Sequence, residues 1–402
     1  MPYSNKQGAG PSIKTMNFAR SDKMSDSFSS DAIIIGGGLH GTSTALYLRK
    51  MGLSVNVIEK HFPGRFASGM NAGGVRRLGR DLAEIPLSDA AMKIWHSIEN
   101  FIGDDCGFHK VGQVKIAETE AEMRELEARV NSVKAQGFLH EELIGNNELR
   151  DLIPVVSQNC VGGIVCRDDG AANPMKTTKA FWRRAVEENV NYYLGEKVTE
   201  IKKSKNIWKV RAGFDTFSSP ILINCAGAWG DVIASMMGDY APLKAEALTM
   251  IVTQRLPEFI QPVVGLTSGG LSFKQSPEGT LLIGGGHQGK PNRDLETAEP
   301  DPLTLSNSAK IVTRVFPSLT NVNVARVWCG LEGKMPDDIP VIGRSMTQEA
   351  GYHAFGFCGH GFQLSPIVGK LLAELIVDGK PSIPLDAFSI SRFGGEQNHY
   401  IN

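Results

Sequence analysis

The sequence predicts an α/β (α+β) protein built on a parallel strand–helix–strand unit, with a second, mixed-sheet domain inserted into it. Three features lead there. Ile33–Ile35 form the short apolar run of a strand buried on both faces. Gly36, Gly38 and Gly41 follow at once as G-x-G-x-x-G, ahead of apolar residues at helical spacing (Leu39, Ala45, Leu46, Leu48). Gly52 stops that helix, and a second strand, Val55 to Ile58, runs into Glu59. In this order the elements form a dinucleotide-binding unit: Gly36 allows a tight turn, Gly38 a close pyrophosphate, and Gly41 close helix packing. The helix start offers free N–H groups to phosphate, and Glu59 stands where a carboxylate holds ribose hydroxyls.

The rest of the chain is read in order. Residues 1–30 are polar and serine-rich, without the apolar core of a secretory signal, and read as a disordered extension; Met24 is an alternative start. After Glu59 and Lys60, the small residues of ASGMNAGG (Ala67, Ser68, Gly69, Ala72, Gly73, Gly74) let a backbone lie flat against a ligand. Leu82 to Phe101 reads as a helix with Trp95 and Phe101 in the core, and His109 to Ala117 alternates like a strand. Glu118 to Gln136 is an amphipathic helix with Met123, Leu126, Val130 and Val133 facing in. A strand at GGIVC, a helix from Pro174 to about Asn189, and strands at Lys197–Lys202, Ile207–Arg211 and Ile221–Cys225 follow. The last of these meets Ala226-Gly227-Ala228-Trp229-Gly230, a junction like the opening one. Mixed strands span Leu243 to Gly286, and helices cover Asp301–Phe316 and Ile367–Val377. Glycine junctions at the start, middle and end make the first domain discontinuous: 31–80, 151–240 and 326–386, with 81–150 and 241–325 as the substrate domain and 387–402 as a tail.

Composition narrows the function. A net charge of −1 gives no reason to expect nucleic acid, and no apolar run reaches the ~18 residues of a membrane span. The six cysteines are scattered without a C-x-x-C pair, which points to reduced thiols in a cytoplasmic protein with no metal held by this chain.

GGGLHG with Glu59, ASGMNAGG, NCAGAWG, WCGLEGKMPDDIPVIG and FGFCGHGFQLSP, in that order, resemble the FAD-dependent amine and amino-acid oxidoreductases. That family includes D-amino-acid, glycine and sarcosine oxidases, and the nearest likeness is to catalytic subunits of opine oxidase-type dehydrogenases. The resemblance implies a Rossmann-like FAD-binding domain and non-covalent FAD. It implies that Gly36, Gly38, Leu39, His40 and Gly41 cradle the pyrophosphate, and that Glu59, Lys60 and Val198 meet the adenosine end. Ser68, Gly69, Met70, Asn71, Ala72, Gly73 and Gly74 would follow the ribityl chain and flavin edge, and Ala226, Gly227 and Trp229 would close over the pyrophosphate. Gly330 and the Gly356–Gln363 segment (Gly356, Gly359, His360, Gly361, Phe362, Gln363) would stand at the flavin, with a helix start near its N1–C2 carbonyl.

The implied chemistry is hydride removal next to an amine nitrogen, giving an imine that water hydrolyses. The implied partners are other subunits of a dehydrogenase, with FMN at a subunit interface and an iron–sulfur cluster in a partner chain. Three candidates for catalysis follow. Glu332 replaces the arginine that pairs with substrate carboxylate in simpler relatives, and favours a cationic, opine-like substrate. The oxygen-promoting lysine of sarcosine oxidase aligns near Ile283, with Lys274 or His287 as substitutes. His360 is a candidate beside the flavin, and Cys329 falls one residue off the register of covalent attachment. Alternatives are a D-amino-acid, hydroxyproline or cyanide-forming glycine dehydrogenase subunit, an NAD-linked oxidoreductase, and a non-catalytic flavin-binding subunit.

Overall fold

The computed structural model describes residues 26–394. Most of the expected N-terminal extension and the end of the expected tail lie outside them.

The opening strand Ala32–Ile35 sits inside a six-stranded sheet and explains its own composition. Ala32 and Ile34 enter a core shared with the helices Leu39–Lys50, Ile85–Trp95, Pro174–Glu187 and Gly361–Val377. Ile33 and Ile35 point the other way, against Trp208, Val210 and Phe217 of a four-stranded sheet. Successive side chains of a strand alternate between faces, so a strand covered on both faces must be apolar throughout. The sheet runs Val341–Arg344, Gly351–Phe355, Ile221–Asn224, Ala32–Ile35, Val55–Glu59, Asn191–Leu194, all neighbours parallel except the first pair.

A second core lies under an eight-stranded, largely antiparallel sheet. Its order is Val324–Lys334, Lys244–Arg255, Thr280–Gly284, Ser272–Gln275, Val263–Leu266, Gln113–Ala117, Gly162–Cys166, Glu142–Gly145. Phe273 on this sheet stacks on Phe316, 4.5 Å between ring centroids, just past the helix Pro302–Val315.

Several details differ from the sequence reading. Ser27–Ser29, placed in the disordered extension, is a strand paired in parallel with Thr216–Ser218. Gly162–Cys166 and all but the first two residues of Val324–Lys334, assigned by the boundaries at 151 and 326 to the dinucleotide-binding domain, pair in the eight-stranded sheet. Each is bordered by strands from the other domain, and a boundary drawn along the chain cannot show lateral pairing. Ile390 and Phe393, in the expected tail, are buried against Val341 and Phe355. The helix expected over Leu82–Phe101 breaks at Ser97 into Ile85–Trp95 and Ile98–Ile102. Gly361–Val377 begins six residues before the sequence-based start at Ile367, and carries Pro366 inside its second turn at the cost of one N–H.

The opening helix and Gly361–Val377 approach so closely that a Cβ on Gly369 would lie 2.5 Å from the Ser43 carbonyl carbon. Both positions are buried in long helices that have no room to part. Gly369→Ala is therefore expected to destabilise the protein by about 1–3 kcal/mol, the usual range for overpacking, read as a lower urea midpoint with unchanged slope.

Candidate active site

The carboxyl ends of four strands of the six-stranded sheet (Ile35, Glu59, Asn224, Phe355) open toward the eight-stranded sheet, the usual position for a ligand in an open α/β sheet. Between the two sheets lies a cavity of ≈ 660 Å³. Its lining includes Glu59, Lys60 and Val198, the turn residues Gly36, Gly38, Leu39 and His40, Ser68 and Met70–Gly74, and Gly356 with Gly359–Phe362. Ala226, Gly227 and Trp229 line the same space.

The glycine turn is shaped by hard contacts. Gly36 has φ +104°, and a Cβ there would lie 2.3 Å from the Cys225 carbonyl oxygen. A Cβ on Gly38 would lie 2.9 Å from Ser68 Oγ, the atom that accepts the Leu39 N–H at 3.0 Å. Gly41 does not line the cavity; its Cβ would meet the Gly36 carbonyl at 2.0 Å, so it serves the close seat of the helix on the turn.

Glu59 is tied to the turn from both oxygens, accepting the Gly37 and His61 N–H groups at 2.8 Å each. Burial raises its carboxyl above the usual range against those bonds. Lys60 Nζ lies 2.9 Å above the Trp229 ring and 2.9 Å from Glu296. The residues preceding the helices Leu39–Lys50 and Gly361–Val377, Gly38 and His360, supply no side-chain cap, although Ser68 Oγ takes the Leu39 N–H. Helix starts leave N–H groups unpaired, and the partial positive charge there suits an anion.

The Ser68–Gly74 loop is held by Asn71, whose amide donates to the Ala67 and Ser68 carbonyls at 2.9 and 3.0 Å and accepts the Gly73 N–H at 2.7 Å. Four further sequence candidates stand outside the cavity. Gly69 packs against Gly64 and Met175, and Gly330 lets its strand cross Met70, whose carbonyl accepts Trp328 Nε1 at 2.9 Å. Gln363 is fully buried and turned away, donating to the Ser88 carbonyl and accepting from Ser88 Oγ and Arg80 Nη2. Lys274 lies behind the loop, 3.0 Å from where a Gly73 Cβ would be and 3.4 Å from the Ala172 carbonyl; burial lowers its ammonium pKa to about 8.

Glu332 and His360 do line the cavity. Glu332 Oε2 accepts the Gly359 N–H at 2.8 Å, and Glu246 faces it across the strand pair. Burial first, and then the Glu246 charge, push its carboxyl pKa up. His360 Nδ1 stands 3.0 Å from the buried Glu84 Oε2, and burial together with Arg80 lowers its pKa. Of the cysteines, Cys225 and Cys358 line the cavity, whereas Cys329 does not and sits 3.1 Å from Thr249 Oγ1. Burial raises the Cys225 thiol to about 12 and raises Cys358 as well, so both stay protonated and poorly nucleophilic.

The sequence reading assigned no role to Arg76, Gln113, Lys115 or Glu246, which also line the cavity. A signal for two of them was present. In Gln113–Ala117 the alternation buries Val114 and Ile116 and leaves Gln113 and Lys115 on the opposite, partly open face.

Comparison with known proteins agrees with this architecture. Residues 31–375 match the profile described as DAO, FAD dependent oxidoreductase. The chain belongs to that family. It is thus an FAD-dependent oxidoreductase with the family's mixed α/β fold. It is 26% identical over 371 residues to the beta subunit of sarcosine oxidase from Rhizobium meliloti (strain 1021), covering 90% of this chain and 88% of the relative. It is 26% identical over 385 residues to an opine oxidase subunit from Rhizobium meliloti, covering 91% and 98%. The crystal structure of L-proline dehydrogenase from P. horikoshii superposes with a TM-score of 0.86 at 26% identity, covering 92% and 99%. Among the described residues no helix is long and apolar enough to cross a membrane.

Proposed function

We propose that the chain holds FAD non-covalently and oxidises the C–N bond of an amino acid or secondary amine of opine-like type, as the catalytic subunit of a hetero-oligomeric cytoplasmic dehydrogenase. The observation that carries this is the single cavity joining the glycine turn and Glu59 to the start of Gly361–Val377 and to a polar wall of the eight-stranded sheet. The cavity fits a flavin dinucleotide. The Gly36–Gly38 cradle is one that a Cβ would fill, and two helix starts border the same space.

In this reading Gly36, Gly38, Leu39 and His40 hold the pyrophosphate, with Ala226, Gly227 and Trp229 opposite. Glu59 takes the ribose, Lys60 and Val198 the adenosine side, and Ser68 with Met70–Gly74 the ribityl chain and ring edge. The start of Gly361–Val377, with Gly356, Gly359 and His360, supplies positive potential where the ring gains charge. FAD, when bound, accepts the hydride from the carbon next to nitrogen. The substrate nitrogen gives up a proton, and the imine left behind is hydrolysed by water. The chain's task is to orient the amine and exclude solvent during that step. Relatives named as subunits support partner chains; FMN at a subunit interface and an iron–sulfur cluster in a partner chain belong to the proposal. Lys274, turned behind the loop, supports a dehydrogenase over an oxidase.

Purified protein should be yellow and should bleach anaerobically with members of a panel of amino acids and opines; failure with every amine sinks the assignment. Because both cavity-lining thiols are held protonated, acid precipitation should leave the flavin in the supernatant, and a yellow pellet would show covalent attachment. An artificial dye should reoxidise the protein at least about tenfold faster than oxygen. Rapid peroxide release by the isolated chain would exclude the dehydrogenase reading.

A further inference from the structure

We infer that Asp239 and His353 are positioning residues for the cofactor, acting through Asn224 on the Ala226–Trp229 junction of the cavity wall. The inference rests on the reading that this junction closes over the dinucleotide, and otherwise on the following geometry.

Asn224 ends the strand Ile221–Asn224 and spans the junction that follows it. Its Oδ1 accepts the Ala226 N–H at 3.1 Å, and its Nδ2 donates to the Gly230 carbonyl at 2.8 Å. Between those two anchors lie Gly227, with φ +55°, and Trp229, both of which line the cavity. The backbone dictates the orientation of the amide, because Ala226 offers a donor and Gly230 an acceptor. The second Nδ2 hydrogen is left for His353 Nδ1, 3.2 Å away on the neighbouring strand.

That contact fixes the imidazole in turn. Nδ1 must accept, so the ring proton sits on Nε2 and is donated to Asp239 Oδ2 at 2.8 Å. Asp239 Oδ1 takes the Met346 and Thr347 N–H groups at 3.2 and 3.0 Å. Asp239 stands just past the helix Gly230–Met237, which begins at the junction. From the Ala226 N–H to Asp239 every bond donates in the same direction, and Asn224, His353 and Asp239 are all buried. A buried carboxylate is costly to desolvate, and apolar side chains of the same volume would fill this space at least as stably. What the polar chain adds is orientation: reversing one member sets donor against donor at the next.

The test reads FAD release from the purified protein, with no substrate present. In Asp239→Asn the new Oδ1 stays on the Met346 and Thr347 N–H groups, so its amide donates to His353 Nε2. The ring proton moves to Nδ1 and meets the Asn224 amide head-on. FAD should dissociate at least about tenfold faster, and nitrogen NMR of histidine-labelled protein in excess FAD should show the other His353 tautomer. Adding Asn224→Asp supplies acceptors for both the His353 Nδ1–H and the Ala226 N–H. The double variant should return to within about threefold of the wild-type rate, whereas two independent losses of packing would add. His353→Gln, which offers one acceptor and one donor, should release FAD about tenfold more slowly than His353→Leu, and this pair decides where Asp239→Asn does not fold. Additive loss in the double variant or equal release from the two His353 variants overturns the inference. A switched tautomer with unchanged FAD release also overturns it, by moving the cofactor off the junction. An unswitched tautomer refutes the chain of hydrogen bonds itself and leaves the cofactor's place untouched.

Discussion

Gly38→Val is expected to yield folded protein with less than about a tenth of the wild-type flavin. The new branched side chain starts 2.9 Å from Ser68 Oγ and grows into the space where the turn meets the cavity. Ser68 can give way only by releasing the Leu39 N–H, which undoes the alignment of the helix start with the turn. Gly36 is a poorer test, because a Cβ there strikes the Cys225 carbonyl at 2.3 Å and so strains the fold as well as the site. Gly145→Ala is the control: nothing lies within 4 Å of its Cβ and its φ is −82°, so it should stay fully coloured. Absorbance at the flavin band per chain, with far-UV circular dichroism to show the fold, reads the outcome. A yellow Gly38→Val protein would remove the pyrophosphate assignment from this turn.

That turn was legible in the sequence because its constraints are local. A strand buried on both faces, a turn with no room for Cβ atoms, and an acid at the next strand end each leave a mark within about thirty residues. Glu120–Ala135 was equally legible: its buried Leu126, Val130 and Val133 fall on one face, and a Thr119–Glu122 capping box marks its start. What escaped depends on lateral packing. Ser27–Ser29 is a strand only because Asp215–Ser219 lies beside it, and three short residues carry no pattern of their own. The loss of Lys274 from the cavity is likewise invisible in one dimension, since only the stacking of Gly73 and Ala172 against it turns the amine behind the loop. Arg76 and Lys115 are 39 positions apart and meet only over Gly79.

Glu332→Gln should keep its flavin and discriminate between substrates. Glu332 and Glu246 stand opposite each other on the strands Val324–Lys334 and Lys244–Arg255. An ordinary α-amino acid whose only cation is the nitrogen being oxidised has no further cation to offer the acid pair. Its kcat/KM should therefore be unchanged in the variant. A substrate carrying a second cation further along the molecule, such as an arginine-derived opine, would lose a charge-assisted bond of ~1.5–3 kcal/mol, lowering kcat/KM about ten- to a hundredfold. Glutamine can still accept the Gly359 N–H that Glu332 accepts at 2.8 Å, so a purely structural cap predicts no change with either substrate. That result would end the role of Glu332 in specificity. A second readout follows from its raised pKa. The folded protein holds this proton more tightly than the unfolded chain, so the favourable contribution is complete at acid pH and is lost as pH rises through the folded value. Glu332→Gln has no such proton to lose. Relative to wild type it should gain stability in urea titrations as pH rises above the ordinary carboxylate range, and a wild-type advantage that grows with pH would contradict the buried, partly uncompensated charge.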